Sequence, residues 1–359
     1  MVAATEPPAA AGAIHRGWLL IGQSGAKSRR RAHTAATTCG DHGQHGEILH
    51  VPFLYCRNAG RPYRLQYSDE ALKAVNPDMA RRLWIVFEPY SAMVYFAPEA
   101  RAAYTDAGLK GYWMGYFGSR AAAFGAVSAD VVEATFYNFA PHMVRRAIPD
   151  AWRFSTPHRI MQARLVAADA ALRRLLGDTI DAPTIIEATE LTREALAACT
   201  VAGRPLFAAH RSLAWPDVPH LALWHAATLL REYRGDGHVA ALLAAGIDGC
   251  EAHVLQVAAG TVPRPVLQST RGWSDEDWAA AAERLRRRGY ADAAGAITAE
   301  GRDSITAVER QTDTLALPPW VHLGQEAVER LDGLVRPLSR RIAEAGGIPF
   351  PNPVGVPSP

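Results

Sequence analysis

The sequence predicts a mainly α-helical protein whose body consists of two similar units with minimal β-structure. Apolar residues recur at helical spacing through most of the chain after Met79. Glycine-rich turns interrupt that pattern, and the order of elements in residues 83–134 returns in residues 223–280. We expect these segments: a first unit at 79–177, a connector at 178–219, a second unit at 220–320, a C-terminal helix at 321–346 and a disordered tail at 347–359.

The two units share a weak internal repeat. Each contains a Leu-Trp pair, at 83–84 and at 223–224, and later an Ala-Gly pair, at 107–108 and at 245–246. From the tryptophan to that glycine the chain advances 24 residues in the first unit and 22 in the second. Alanine-rich helices resemble one another by chance, but here the order of the elements agrees as well. The sequence therefore favours a duplication.

The second unit reads as helices separated by glycine turns. Leu221 to Tyr233 places apolar residues on one helical face, and Gly-Asp-Gly at 235–237 is predicted to end this helix. Ser274 and Asp277 form a predicted capping box for a later helix. The expected inward stripe of that helix consists of Trp278, Ala281, Ala282 and Leu285. Residues 290–297 are long enough only for a small hairpin, after which Thr298 caps a last helix.

The connector is predicted to contain one helix and one extended segment. We expect the helix at 187–199, a turn at 203–205 and a short extended segment at 206–207. In the first unit, Pro141 is predicted to kink a helix and to free a backbone carbonyl.

A helix ending in Arg-Arg-Arg-Gly-Tyr, followed by a small hairpin, is the layout of a winged helix. Over residues 223–316 the chain resembles the MarR-type regulators, through 283–290 (ERLRRRGY) and 295–302 (GAITAEGR). Over residues 79–335 it resembles a group of uncharacterised actinobacterial proteins with a helix-turn-helix label, whose members typically begin near Met79. The stretches that carry this second resemblance are 95–100, 111–117, 230–238 and 270–274. The resemblances imply tandem winged-helix units and identify no chemistry.

Residues 1–78 differ in character from the rest of the chain. They carry nine basic and six acidic residues, whereas the remainder carries 29 and 30. We expect a disordered extension, or upstream DNA translated from too early a start, because a Gly/His-rich tract buries little apolar area. Residues 63–67 form the only alternation in it that predicts a strand. The alternative is a metal site whose spacing matches no standard zinc template, formed by Cys39, His42, His45 and His50.

The composition argues against several classes of protein. A nearly neutral body argues against binding nucleic acid through bulk charge. Four scattered cysteines without a Cys-x-x-Cys motif favour a reduced, cytoplasmic compartment. No run approaches about 18 apolar residues, which argues against a membrane span. Because phosphate loops, dinucleotide fingerprints and His-Glu-x-x-His are all missing, we expect no cofactor and no metal.

Three arginines are the candidate DNA contacts of the second unit: Arg271, Arg284 and Arg287. The reading helix opens with carboxylates at 275–277, which DNA phosphates repel, and the wing at 292–295 has no basic residue. Residues 271–310 contain seven arginines against eight acidic residues. The sequence therefore favours loss of DNA binding by the isolated unit, while partial retention in a dimer stays open.

The first unit is rich in large amphipathic side chains, which is typical of a small-molecule pocket with an aromatic wall. The candidate ligand-binding residues are Trp113, Tyr116, Phe117, Tyr137, Asn138 and His142. The alternative is that these rings only fill the core.

A second cluster of polar residues suggests acid/base chemistry, without a diagnostic spacing. Its members are His225, Arg231, Asp236 and His238. We expect a ligand-responsive transcriptional regulator, monomeric or homodimeric, whose partners are a small molecule and, where DNA binding is retained, DNA. The alternative is an enzyme of specialised metabolism that uses the aromatic cleft between the two units and has lost DNA binding.

Overall fold

Helices account for nearly all regular structure in the part of the chain that the computed structural model describes, namely Cys56–Asn58, Arg61–Tyr63 and residues 75–359. The first eight are α1 Pro77–Ala92, α2 Pro98–Asp106, α3 Gly111–Ala121, α4 Ala129–Thr135, α5 Pro141–Arg145, α6 Asp150–Phe154, α7 Pro157–Leu176 and α8 Pro183–Leu196. The next eight are α9 Pro205–Arg211, α10 Pro219–Ala244, α11 Gly249–Ala258, α12 Arg264–Arg271, α13 Asp275–Arg287, α14 Ala299–Leu315, α15 Pro318–Leu323 and α16 Gln325–Glu344. The prediction of a mainly helical protein is confirmed.

Proline sets the start of many of these helices. Its fixed φ suits the first helical position, where the missing N–H costs no hydrogen bond. Pro141 is one such residue: it begins α5 and kinks no helix, so that prediction is wrong. The helices that begin at a proline are α1, α2, α5, α7, α8, α9, α10 and α15.

The N-terminal region is described only in part. Strands β1 (Cys56–Asn58) and β2 (Arg61–Tyr63) pair antiparallel, with Cys56 opposite Tyr63. Most of the predicted strand at 63–67 lies outside the described residues, as do Cys39, His42, His45 and His50.

The predicted boundary at Met79 lies inside a helix. Helix α1 begins at Pro77, and the side chain of Asn76 caps it by accepting from Met79 N at 3.1 Å. The described residues all fall in one compact unit, Tyr55–Pro359.

Helix α10 is the centre of the fold. It packs against α1, α7, α8, α9 and α14, and it is buried on several sides. One apolar core surrounds most of it, and a second core joins its C-terminal end to α11–α14. Among the described helices none is by itself long and apolar enough to cross a bilayer, although α10 and α11, bent by 92°, pass that test as a pair.

Helices α12 and α13 are joined by the three-residue turn Gly272-Trp273-Ser274, and a turn of this length is typical of a helix-turn-helix. Ser274 accepts from Asp277 N at 3.0 Å, so the predicted capping box is confirmed. Trp278, Ala281 and Leu285 face the core as expected. The predicted hairpin is present as a single bridge between Ala291 and Ile297. That these elements form a winged helix, and that the first half repeats them, stays a prediction.

The Gly-Asp-Gly sequence at 235–237 does not end a helix, contrary to prediction, because α10 continues through it. Arg204 packs against Gly237 so closely that a Cβ there would lie 2.5 Å from its Nη1. Asp236 accepts from Phe207 N at 2.9 Å and thereby caps α9. The glycine and the aspartate therefore serve contacts between helices.

Two further predictions fail for similar reasons. Residues 206–207 belong to helix α9, which the Asp236 carboxylate caps, and do not form an extended segment. Residues 347–359, for which the sequence predicts disorder, instead lie against the body. Ile348 and Val356 are buried, and Asn352 holds a turn by accepting from Val356 N and donating to Val356 O.

Substituting Gly272 by alanine should lower the free energy of unfolding by about 1–3 kcal/mol. The residue has φ +77°, and an added Cβ would lie 2.1 Å from Met143 Cγ. Chemical denaturation measures the change. Gly333→Ala in α16, where nothing lies within 4 Å, is the control and should stabilise by about 0.5–1 kcal/mol. A Gly272→Ala variant as stable as the parent protein would contradict the inference that the turn requires glycine at this position.

Candidate functional site

A cavity of about 400 Å³ opens beside the centre of α10. Its walls come from α1, α3, α9, α10, α11, the end of α12, α14, residues 135–139 and the C-terminal tail. This volume suits a small organic ligand, since such pockets typically measure about 300–1,000 Å³. The cavity therefore lies where the body, the helix-turn-helix and the tail meet.

Buried ion pairs line one side of the cavity. Glu232 of α10 accepts from Arg120 Nη2 at 3.1 Å and from Arg231 Nη1 at 2.8 Å. Arg231 also donates through Nε to Glu88 Oε1 of α1 at 2.8 Å. Burial by itself would raise the pKa of Glu232, but Arg120 and Arg231 lower it to about 2. These two arginines are thus matched by two carboxylates.

A second group of ion pairs closes another side. Arg234 Nη2 donates to Asp313 Oδ1 at 2.8 Å, and Arg81 Nε donates to Asp313 Oδ2 at 2.9 Å. Arg81 also contacts Glu309. Two arginines again face two carboxylates, so this group adds no net charge to the cavity.

Arg271 differs from the other arginines of the cavity because it makes no ion pair with any described residue. Its Nη2 donates to the Pro353 carbonyl at 2.5 Å, and its Nη1 contacts Thr270 O at 3.3 Å. The guanidinium carbon lies 4.6 Å from the Phe139 ring centroid. Burial lowers the pKa of Arg271 below its usual value. The end of α12 therefore places a cation without an anion at the cavity.

Tyr116 lies between the aromatic wall and these cations. Its hydroxyl accepts from Arg120 Nη1 at 3.0 Å. Burial would raise the pKa of Tyr116, but Arg120, Arg271 and Arg231 outweigh it and lower the pKa below its usual value. The ring packs against Tyr112, Trp113, Phe117 and Phe139, with centroids 5.4–6.2 Å apart.

The loop 137–140 ties the aromatic wall to the helix-turn-helix. The Asn138 carbonyl accepts from His253 Nε2 at 3.1 Å and from Trp273 Nε1 at 3.0 Å. Tyr137 donates its hydroxyl to Ile247 O at 2.8 Å. Ala140 N donates to Arg271 O at 2.9 Å.

The structure brings together half of the predicted ligand-binding residues. Tyr116, Tyr137 and Asn138 line the cavity. The other three are not part of the cavity lining. Trp113 packs against the Tyr116 ring, Phe117 is fully buried in the core, and His142 is exposed to solvent.

Three of the four predicted acid/base residues also line the cavity: Arg231, Asp236 and His238. His238 Nδ1 lies 3.0 Å from Thr312 Oγ1, and burial lowers the pKa of this histidine to about 4. Burial raises the pKa of Asp236 to about 7, although the hydrogen bond from the Phe207 backbone N–H acts in the opposite direction. His225 lies apart, with its ring 4.9 Å from that of Trp215.

Sequence reasoning missed Arg120, Glu232 and Glu88. All three are charged residues buried to more than nine-tenths. Their only sequence signal is a charge on an otherwise apolar helical face.

The predicted DNA contacts lie in three different environments. Arg271 lines the cavity, as described. Arg284 is held by Asp248 at 2.5 Å and by Glu251 at 2.8 Å. Arg287 is 62% exposed, with Glu283 at 3.6 Å. Arg287 is therefore the one of the three whose charge faces solvent.

The described residues contain no group of three or more His, Cys, Asp or Glu side chains that could hold a metal ion.

Residues 80–349 match a family described as a helix-turn-helix family. Neither the curated proteins nor the solved structures contain a match to the chain.

Proposed function

The chain belongs to this helix-turn-helix family, and from that premise we propose that it is a ligand-responsive transcriptional regulator. Membership in such a family indicates a DNA-binding, regulator-type protein. The cavity supplies the ligand site, and α12 and α13 supply the DNA contact.

One observation carries this proposal: Arg271 belongs to both parts. It is the last residue of α12, and its side chain lines the cavity. Its main-chain carbonyl also accepts from Ala140 N in the loop that forms the aromatic wall. A molecule in the cavity therefore acts directly on the first helix of the helix-turn-helix.

The DNA contact is best placed at the C-terminal end of α13. The first turn of α13 carries Asp275, Glu276 and Asp277, which repel phosphates. Arg287, at the other end, is exposed and lies 3.6 Å from its nearest carboxylate. We propose that Arg287 contacts a backbone phosphate.

Fluorescence anisotropy with duplex DNA from upstream of the protein's own gene tests this function. We expect salt-sensitive binding, and Arg287→Ala should reduce the salt slope by about one. Arg153→Ala in α6, an arginine with 81% exposure, is the matched control and should leave binding unchanged. No binding at low salt, or an Arg287→Ala variant with an unchanged slope, would contradict the DNA-binding part.

The alternative of an enzyme using the cavity is favoured by Asp236, because a carboxyl group with a pKa near 7 in a cleft is suited to proton transfer. Its hydrogen bond to Phe207 N gives the same residue a structural role, since that bond caps α9. The regulator is therefore the better-supported proposal.

A further inference from the structure

We propose that the ligand of this cavity carries a carboxylate group, which Arg271 binds in place of the Pro353 carbonyl of the C-terminal tail. This inference rests on the proposed function and specifies the chemical class of its ligand. It requires that the cavity have an unmatched positive charge, room for an apolar body and a contact that an anion can replace.

The unmatched charge follows from the ion pairs around the cavity. Arg120 and Arg231 face Glu232 and Glu88, whereas Arg81 and Arg234 face Glu309 and Asp313. The other carboxyl group of the lining, Asp236, accepts from Phe207 N and has a pKa raised to about 7 by burial. Among the described residues, the acceptors that Arg271 contacts are all neutral oxygens, those of Thr270 and Pro353. Removing a cation from bulk water without an anionic partner is costly. A ligand carboxylate relieves that cost, and its two oxygens match the planar guanidinium.

Tyr116 supplies a second donor at the same end of the cavity. Its oxygen accepts from Arg120 Nη1, which leaves the phenolic proton free for another acceptor. Arg271 and Tyr116 contact the same ring, with the Arg271 guanidinium carbon 4.6 Å and the Tyr116 ring centroid 5.6 Å from the Phe139 centroid. The two groups together favour an anion there over a neutral amide.

The remaining walls suit an apolar ligand body. Trp84, Phe136 and Phe139 line the cavity, and its volume of about 400 Å³ accommodates a fused aromatic ring. A ligand that combines such a ring with one carboxylate matches both ends of the site.

The tail holds a replaceable partner in front of Arg271. Asn352 Nδ2 donates to Val356 O at 2.9 Å, and its Oδ1 accepts from Val354 N at 3.1 Å. This turn holds the Pro353 carbonyl 2.5 Å from Arg271 Nη2. A carbonyl carries only a partial charge, so a carboxylate is the stronger acceptor and displaces it. Binding then frees the tail from α12.

The test compares 2-naphthoate with its neutral isostere 2-naphthamide, using thermal stabilisation of the full chain without DNA. We expect the carboxylate to raise the melting temperature at millimolar concentration and to bind about tenfold or more tightly than the amide. Arg271→Gln should remove that preference while keeping the response to the amide. Arg287→Gln, on the exposed end of the next helix, is the control and should keep it. Arg271→Lys should retain part of it, because lysine keeps the charge without the planar fork.

The inference is overturned if the two probes stabilise the protein equally, if the carboxylate does not stabilise it at all, or if Arg271→Gln keeps the preference. If Arg271→Gln does not fold, the response of Arg271→Lys decides: an undiminished preference for the carboxylate overturns the inference, and a reduced one supports it. Equal stabilisation by both probes leaves the regulator proposal standing. A carboxylate preference in a protein that fails to bind DNA supports this inference and removes the regulator proposal.

Discussion

Replacing Glu232 by alanine should destabilise the protein by about 3–5 kcal/mol, because it leaves the buried guanidinium of Arg120 without a carboxylate and takes from Arg231 one of its two. Glu232 is 2% exposed and holds Arg120 from α3 beside Arg231 from its own helix. Chemical denaturation near neutral pH measures the loss. At that pH the full effect is present, because the pKa of Glu232 lies near 2 in the folded protein and its contribution fades only as the pH falls from about 4.5 through 2.

Glu283→Ala is the matched control for this variant. Glu283 also pairs with two arginines, Arg286 and Arg287, but all three side chains are more than 40% exposed. Solvent screens such pairs, so we expect a change below about 1 kcal/mol. A Glu232→Ala variant that loses no more stability than Glu283→Ala would show that the cavity arginines are solvated in the folded protein.

Asp236→Asn should stabilise the protein at alkaline pH, by on the order of 2–4 kcal/mol relative to the parent chain. Burial raises the folded-state pKa of Asp236 from 3.8 to about 7. Folding therefore favours the protonated carboxyl group, and that contribution, complete below about pH 4, is lost as the pH rises through 7. Asparagine stays neutral throughout and retains an oxygen that can accept from Phe207 N.

The measurement is the difference in unfolding free energy between Asp236→Asn and the parent protein, from about pH 4 to about pH 8. We expect this difference to grow with pH as Asp236 of the parent protein ionises. The charge of Glu232 raises the pKa of Asp236, and that of Arg204 lowers it. Asp275→Asn, at a side chain with 82% exposure, should show no comparable growth. A difference that is constant across this range would mean that Asp236 is already ionised at low pH.

The parts of the fold that the sequence predicts well depend on near neighbours in the chain. The capping box at Ser274 and Asp277 and the inward stripe from Trp278 to Leu285 each lie within a few residues, where helical spacing decides the contacts. The sequence locates the small hairpin for the same reason.

The parts that the sequence does not predict depend on distant residues. Taken alone, Gly-Asp-Gly at 235–237 has the composition of a turn. The residues that it actually contacts, Arg204 and Phe207, come about thirty residues earlier, so the local pattern does not reveal them. The Pro/Gly-rich tail resembles a disordered segment, because its contacts lie on α12 and in the core.

The candidate site shows the same division. Tyr116, Tyr137 and Asn138 are predictable, since amphipathic side chains in one stretch indicate a pocket. Arg120 and Glu232 are not, because a buried charge is recognised only once its partner is known. In the sequence alone Arg271 resembles a DNA contact. Its orientation toward the cavity involves a hydrogen bond to the distant C-terminal tail, which the local pattern does not show.

The junction between the aromatic wall and the helix-turn-helix has an evolutionary consequence. Every acceptor in it is a main-chain carbonyl, namely those of Asn138, Ile247 and Arg271. A carbonyl survives substitution of its own side chain, whereas Tyr137, His253 and Trp273 donate through side-chain atoms that few other residues can replace. The dependence of these hydrogen bonds on sequence is therefore one-sided: substituting Asn138 or Ile247 leaves the accepting carbonyl in place, whereas substituting any of the three side-chain donors removes a bond.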